Sequence, residues 1–365
     1  MRSGPLSTTV ILFAVGRALA QDSGAEAPAG SYVDAKIIER APPVYPPFAE
    51  VDRMEGWVIL SFIISPQGEV TEPMIEDSTG IKAFESSAIE AVKKWRYMPA
   101  TRDGVPVEQA VRKFRMGFQI ESPGSGATKG ARPAFVRQYR EIQKLVNDRD
   151  LTKAATLLKT LESAERQNLY EDAWLWWLKF TYLKTANSDD LSQEREALRI
   201  AVGYEQDYLP PDVMVTAAQE LYALEIKGND FSAARRVFLR LRDSEAARQS
   251  KYYEETISVL RPHFERVQQV IDGHETLTVL ATIGSHDYWV HDLVRRSFSL
   301  SDLKGSIEFL EVRCGRGTKR YDSVAPDTTW TVPGSWGDCG VYVKGGRGSS
   351  FVFQEHPGQS PVDAH

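Results

Sequence analysis

Apolar and polar positions recur along this chain in three stretches with two different periods. The first period is two. Trp57, Ile59 and Ser61 fall on one face of a strand, and Val58, Leu60 and Phe62 on the other. Both faces are largely apolar, so one packs on a helix and the other is partly covered. Ser65-Pro66-Gln67-Gly68 is a turn, since Pro66 fixes φ and Gly68 closes it. A strand-like run from Glu69-Val70 ends near Asp77-Ser78. Phe84, Ala88, Ala91, Val92 and Trp95 then recur at helical spacing, and Pro99 ends that helix. Gly104-Val105-Pro106-Val107 opens a last strand that alternates as far as Ile120. The expectation is a helix covering one face of a three-stranded antiparallel sheet.

From about 133 to 270 the period becomes that of a helix. Phe135, Tyr139, Ile142 and Leu145-Val146 make one face. Trp174-Leu175-Trp176-Trp177-Leu178 with Phe180, Tyr182 and Leu183 is apolar nearly all round, so that helix is expected to be buried. Asp150-Leu151, Asp190-Leu191 and Asp230-Phe231 recur at equal intervals, each opening a run of alanines and large apolar residues. The stretch from Leu221 to Phe238 resembles the turn of a tetratricopeptide hairpin. Helical repeats and an irregular bundle fit this pattern equally well. Beyond Asp272-Gly273 the period returns to two, with Leu277, Val279 and Ile283, then Tyr288-Trp289-Val290, Ile307-Glu308-Phe309 and Val341-Tyr342-Val343. Turn signals at Gly284-Ser285, Lys304-Gly305, Pro333-Gly334 and Lys344-Gly345-Gly346 point to a small antiparallel sandwich or barrel.

Between residues 42 and 118 several motifs stand in order at fitting distances: Tyr45-Pro46, the glycine-led strand from Gly56-Trp57 to Ile64, and Trp95-Arg96-Tyr97-Met98-Pro99-Ala100 at the helix end. This stretch resembles the TonB C-terminal domain, the periplasmic end of a bacterial energy transducer. The resemblance covers about 80 of the 365 residues. It implies a small α/β sandwich that binds partners and does no covalent chemistry. In that family the domain pairs with a short segment of outer-membrane receptors, the TonB box. Trp57, Trp95 and Tyr97 are read first as core residues. A full transducer also has an inner-membrane helix and a long proline-rich spacer; here no such spacer is present, and about 240 residues follow the domain.

The start of the chain reads as an export signal. Arg2 gives a basic start, Leu6–Gly16 an apolar stretch, and Ala18-Leu19-Ala20 a cleavage site. The stretch is shorter than the roughly 20 residues a bilayer span needs. The product is therefore expected in the periplasm, with an uncleaved inner-membrane anchor as the alternative; membrane contact follows only in that case. The net charge of −6 argues against nucleic acid as a partner. Cys314 and Cys339 are the two cysteines. In an oxidising compartment they are expected to pair, contributing about 3 kcal/mol.

Candidate chemistry is sparse. His286-Asp287 and His291-Asp292 form the one histidine cluster, and five residues along a strand put them on opposite faces, so no metal is expected. Pro123-Gly124-Ser125-Gly126-Ala127 misses the nucleophile-elbow pattern. Cys314 to Arg320 has two glycines but no helix signal after them, so it makes no phosphate loop. No cofactor and no enzyme activity are expected.

The sequence thus describes an α+β multidomain protein. Residues 1–20 are a signal peptide, 21–36 a disordered leader, 37–121 a TonB-like sandwich and 122–132 a linker. An all-α, helical-repeat-like unit follows at 133–272, and a disulfide-linked antiparallel β domain at 273–365. The expected partners are proteins of the cell envelope, TonB-dependent outer-membrane receptors among them. The expected contact is the edge strand Val111-Arg112-Lys113-Phe114-Arg115-Met116, whose unpaired backbone takes a partner's strand and whose positive side chains favour an acidic or polar segment. The alternatives are a membrane-anchored energy transducer and an enzyme housed in the last domain.

Overall fold

Neither face of the strand containing Trp57 to Ile64 suits water, and the rest of the chain folds to cover both. The computed structural model describes residues 31–120, 130–163, 168–187, 191–204, 208–284 and 286–358. The expected signal peptide, most of the leader, the Gly-x-Ser stretch and most of the linker lie outside these residues, as does Asp190.

The first unit runs β1 (Tyr32–Val33), β2 (Lys36–Glu39), α1 (Pro47–Val51), β3 (Gly56–Ile64), β4 (Val70–Ser78), α2 (Lys82–Lys93), β5 (Arg96–Met98), β6 (Ala100–Arg102), β7 (Val105–Val107) and β8 (Gln109–Phe118). Its main sheet has the order β4-β3-β8 and is antiparallel throughout. Val58, Leu60 and Phe62 meet Phe84, Ala88, Val92 and Trp95 beneath the sheet. Phe118 stacks on Phe84 with centroids 4.3 Å apart, and Trp95 meets Phe114 edge-on at 5.0 Å. Trp95 Nε1 donates to the Ala41 carbonyl at 2.7 Å, so this tryptophan also pins the incoming chain. Tyr45 packs on the same core. Gly68 is required at its turn: φ is +79°, and a Cβ there would lie 1.9 Å from the Tyr97 carbonyl oxygen.

Three boundaries differ from the sequence reading. The helix stops at Lys93, before Pro99, because Arg96–Met98 leaves it to pair with β2 as a strand. Residues 32–33 and 36 enter strands, β1 on β6 and β2 on β5, so order begins inside the expected leader. The last strand begins at Gln109 rather than near Val107. Asp103 and Gly104 both have positive φ, 52° and 79°, and link the directly paired Arg102 and Val105. That two-residue hairpin turn keeps Val105–Val107 as a separate strand.

The middle unit contains α3 (Pro133–Asn147), α4 (Leu151–Glu162), α5 (Leu169–Ala186), α6 (Ser192–Gly203), α7 (Pro211–Lys227), α8 (Phe231–Asp243) and α9 (Tyr253–Asp272). Each helix packs on the next in the chain. The tryptophan-rich α5 touches α3, α4 and α6, which explains its apolar circumference. One turn occurs twice. Before α4, Arg149 has φ 60° and Asp150 accepts from the Lys153 amide; before α8, Asn229 has φ 57° and Asp230 accepts from the Ala233 amide. Both turns also bond the aspartate amide back to a carbonyl five residues earlier, Leu145 and Glu225. Asp150 and Asp230 therefore act as helix N-caps.

The last unit is a sandwich of two antiparallel sheets. Its strands are β9 (Leu277–Thr282), β10 (Tyr288–Asp292), β11 (Ser297–Lys304), β12 (Ile307–Cys314), β13 (Gly317–Tyr321), β14 (Thr329–Thr331), β15 (Cys339–Gly345) and β16 (Ser350–His356). The sheet orders are β10-β15-β12-β13 and β14-β11-β16-β9. Phe298, Leu300, Leu310, Val312, Val341 and Phe353 fill the space between them. Cys314 and Cys339 face each other across β12 and β15 and form a disulfide.

Candidate functional site

A three-stranded sheet has two edges, and here they differ. β4 is interrupted by Pro73 and by two register shifts against β3, and Glu72 beside the proline has φ 48°. Proline and bulges blunt an edge against further pairing. β8 is the other terminal strand. Its register on β3 is Trp57↔Gly117, Ile59↔Arg115, Leu60↔Phe114 and Phe62↔Val111. Between Val111 and Phe114 it carries one residue more than β3, and Lys113 sits there at φ 56°, so Arg112-Lys113 is a bulge. The regular part of this edge is Phe114–Phe118.

The side chains of β8 divide by face. Val111, Phe114, Met116 and Phe118 join the core over α2. Arg112, Lys113 and Arg115 turn to the opposite face, where other parts of the chain receive them. Arg112 and Lys113 both pair with Asp292 at the end of β10, and Arg236 from α8 pairs with the same carboxylate. Arg112 Nε donates to the Tyr342 hydroxyl at 3.1 Å, and that hydroxyl donates to Glu76 at 2.5 Å. Arg115 donates to the Gly203 carbonyl at 2.5 Å and lies 4.8 Å from the Trp57 ring centroid. Thus the three cations that the sequence offers to a partner have partners within the chain, and an acidic segment would first have to displace Asp292.

Burial and the neighbouring cations Arg236 and Arg112 push the Lys113 ammonium down, to about 7. With 41% of its side chain exposed, water screens part of that repulsion. Asp77 on β4 is pushed up to about 6 by burial, against the pull of the Ser78 amide, His286 and Arg199. Asp172 on α5 is likewise raised by burial to about 6 and accepts from the Tyr204 hydroxyl.

The open face of the sheet is covered in two parts. Trp57 and Ile59 pack on Leu169, Ala173, Ile200, Tyr204 and Leu209 of the helical unit. Ser61 accepts from Arg313 Nη1 of β12 at 3.1 Å, and Arg313 also lies 3.6 Å from Glu72 and 2.7 Å from Glu311. Of the motif residues, Trp57 and Trp95 are almost wholly buried, Tyr45 and Tyr97 are partly buried against the core, and Gly56 lies against Phe84 and Thr79. Pro46 precedes α1, and Pro99 separates β5 from β6.

The histidines of the one sequence cluster have separate tasks. His286 Nε2 lies 3.3 Å from Glu85 and His291 Nε2 2.9 Å from Glu355. No group of three metal-ligating side chains occurs among the described residues. Sequence reasoning missed Asp292, Arg236, Glu311, Arg313 and Tyr342, which come from units far away along the chain. The one local signal was Glu311 and Arg313 alternating with Leu310, Val312 and Cys314, marking a face that meets something polar.

Comparison with known proteins agrees on one region. Residues 41–120 match the family model described as Gram-negative bacterial TonB protein C-terminal. Protein TonB of Vibrio cholerae is 32% identical over 87 residues, which are 24% of this chain and 35% of that protein. Protein TonB of Pseudomonas aeruginosa is 31% identical over 106 residues, 27% of this chain and 30% of that protein. The chain therefore spans only about a third of the length of these relatives. Among solved structures, the solution NMR structure of the Pseudomonas aeruginosa TonB CTD shares 30% identity over 24% of this chain and 89% of its own. Its TM-score is 0.22, so the superposition says nothing about how the three units are arranged.

Proposed function

We propose that this protein is a periplasmic, TonB-like interaction protein that binds envelope proteins by strand addition at β8 and takes part in TonB-dependent transport. The observation that carries this reading is a terminal strand, paired within its sheet to β3 alone, inside the region that matches the TonB C-terminal family. Exposed backbone N–H and C=O groups along such an edge recruit an extended segment, and outer-membrane receptors of the TonB-dependent kind are the expected source. Since the β8 side chains are engaged within the chain, recognition rests on the backbone from Phe114 to Phe118. The helical unit, read as tetratricopeptide-like, and the β domain act as the frame around this edge.

No helix among the described residues is long and apolar enough to cross a membrane. The anchored-transducer alternative depends on residues 1–20; an intact N-terminus in the inner-membrane fraction favours it over the periplasmic reading. An enzyme in the β domain finds little support in an interior filled by phenylalanine, leucine and valine.

The test is recovery of periplasmic partners by the full chain and by Gly117→Pro. Gly117 is exposed, and an added Cβ there meets nothing within 4 Å, so the core is left alone. Loss of partners by a variant that melts like the wild type supports strand addition. Equal recovery overturns it.

A further inference from the structure

The three units meet pairwise, and the three joins differ in kind. The first unit meets the helices through the apolar cluster around Trp57. The helices meet the β domain through Leu277 and Val294, which pack with Phe238, Leu260 and Ile271. This second join is reinforced by Arg295. Its guanidinium donates to the carbonyls of Val270, Ile271 and Gly273 at 2.8 to 2.9 Å and so caps the C-terminal end of α9. The third join, between the first sheet and the β domain, is polar. Among the described residues no apolar cluster spans it. It includes Arg313 on Ser61 and Glu72, Tyr342 on Glu76 and Arg112, Asp292 on Arg112 and Lys113, His286 on Glu85, Thr318 on Glu108, and Tyr32 and Arg102 on the carbonyls of Gly315 and Arg316.

The joins also differ in what separation costs. Opening an apolar join returns its area to water at about 25 cal/mol per Å². Opening a polar join exchanges protein hydrogen bonds for water ones, at a net of about 1 kcal/mol each. Buried ion pairs regain hydration that roughly offsets their attraction. The third join is therefore the one that separates most readily. The helices supply the hinge, because a stack in which each helix packs on the next spreads a bend over many small rotations.

We propose that the seam between the first sheet and the β domain is a gate over the open face of the sheet and the β8 bulge, and that Asp292 is its latch. Asp292 is the point where all three units touch, through Arg112 and Lys113 of β8 and Arg236 of α8. When the carboxylate leaves, three cations face one another, with Tyr342 and Glu76 beside Arg112 as the remaining local compensation. None of these cations belongs to the β domain, so the seam loses the attraction of Asp292 for Arg112 and Lys113, and this one side chain biases it toward opening. That an open gate exposes β8 to a partner rests on the strand-addition reading; the opening itself does not.

The test is amide hydrogen exchange on the full chain, comparing wild type, Asp292→Asn and Asp292→Glu. Asparagine keeps the shape and removes the charge. Losing about 1 kcal/mol of closure accelerates exchange about fivefold. That acceleration is expected at 109–113 and 340–344, with Phe298 and Phe353 unchanged and Asp292→Glu close to wild type. Raising salt to about 1 M, where the screening length is about 3 Å, accelerates the same amides in the wild type. Unchanged exchange at both strands overturns the gate, and so does equal acceleration throughout the β domain. If Asp292→Asn opens the seam while partner recovery stays at the wild-type level and is indifferent to Gly117→Pro, the gate is supported and strand addition fails.

Discussion

Glu311→Gln separates two effects that oppose each other in the seam. Glu311 is 2% exposed on β12, and its carboxylate accepts from Arg313 Nε at 2.7 Å. Glu72 of β4 faces it, and Arg320 of β13 lies within electrostatic reach. Burial is the largest influence and pushes the carboxyl up; Arg313 pulls it down and the contact with Glu72 pushes it up again, from the ordinary 4.5 to about 7. The folded value lies above the unfolded one. The group's contribution to stability is therefore fully present below about 4.5 and is lost as pH rises through about 7. The gap corresponds to a loss of about 3 kcal/mol by pH 8. Glutamine mimics the protonated form and still offers Arg313 an oxygen. At pH 8 the variant is expected to be more stable than the wild type by up to about 3 kcal/mol, and at pH 5 by about 1 kcal/mol or less. Urea midpoints at the two pH values measure this as a difference: the wild type loses more stability from pH 5 to pH 8 than the variant, in which Asp77, Asp172 and Lys113 still titrate. A variant less stable than wild type at pH 8 refutes the reasoning, because the Arg313 ion pair would then outweigh the burial of the charge.

Other perturbations have equally definite outcomes. Trp57→Ala empties a site that is 1% exposed and is expected to cost about 3–5 kcal/mol in urea unfolding; a loss below about 1 kcal/mol would mean that Trp57 does not join the units. Replacing Cys314 and Cys339 together by serine is expected to lower stability by about 3 kcal/mol, with early exchange confined to β12, β13 and β15. Asp230→Ala removes an N-cap bond of 2.9 Å to Ala233 and one partner of Arg199, and is expected to cost about 1–2 kcal/mol. Arg295→Met withdraws a donor from three carbonyls at the α9 terminus, of which Val270 keeps the Gly273 amide, so exchange at 268–273 is expected to rise before that of α7.

The parts legible in the sequence are those set by local periodicity. Val58, Leu60 and Phe62 declare an inner face, Phe84 to Trp95 declare the helix that covers it, and Pro73 with Gly68 marks where β4 begins and weakens. The Asp103-Gly104 hairpin was available in the same terms, since both positions suit a turn with positive φ. The partners of Arg112 and Lys113 were not available. Asp292 lies about 180 residues further on, and no spacing rule links a bulge in one sheet to the end of a strand in another. For the same reason Arg112, Lys113 and Arg115 read as an exposed basic edge: alternation tells that a side chain leaves the core of its own sheet, not whether another unit waits there. Only Glu311 and Arg313, alternating with apolar residues in their strand, hinted at a polar face that had to be covered.

The division of the open face into an apolar and a polar half follows from β3 itself. Toward Gly56 this strand presents Trp57 and Ile59, which must be buried, and the helical unit buries them. Further along it presents Ser61, which accepts one hydrogen bond and adds little apolar area, and Arg313 supplies that bond. A leucine at 61 would take an acceptor from a buried guanidinium and add volume to a packed site, so it would loosen this half of the face. With serine there, the β domain is held mainly by charges, and the strongest charge contact, Asp292, falls on the bulge of the edge strand. The proposed pairing edge and the proposed latch thus fall on one strand, because the bulge that interrupts β8 is also where it turns its cations toward Asp292.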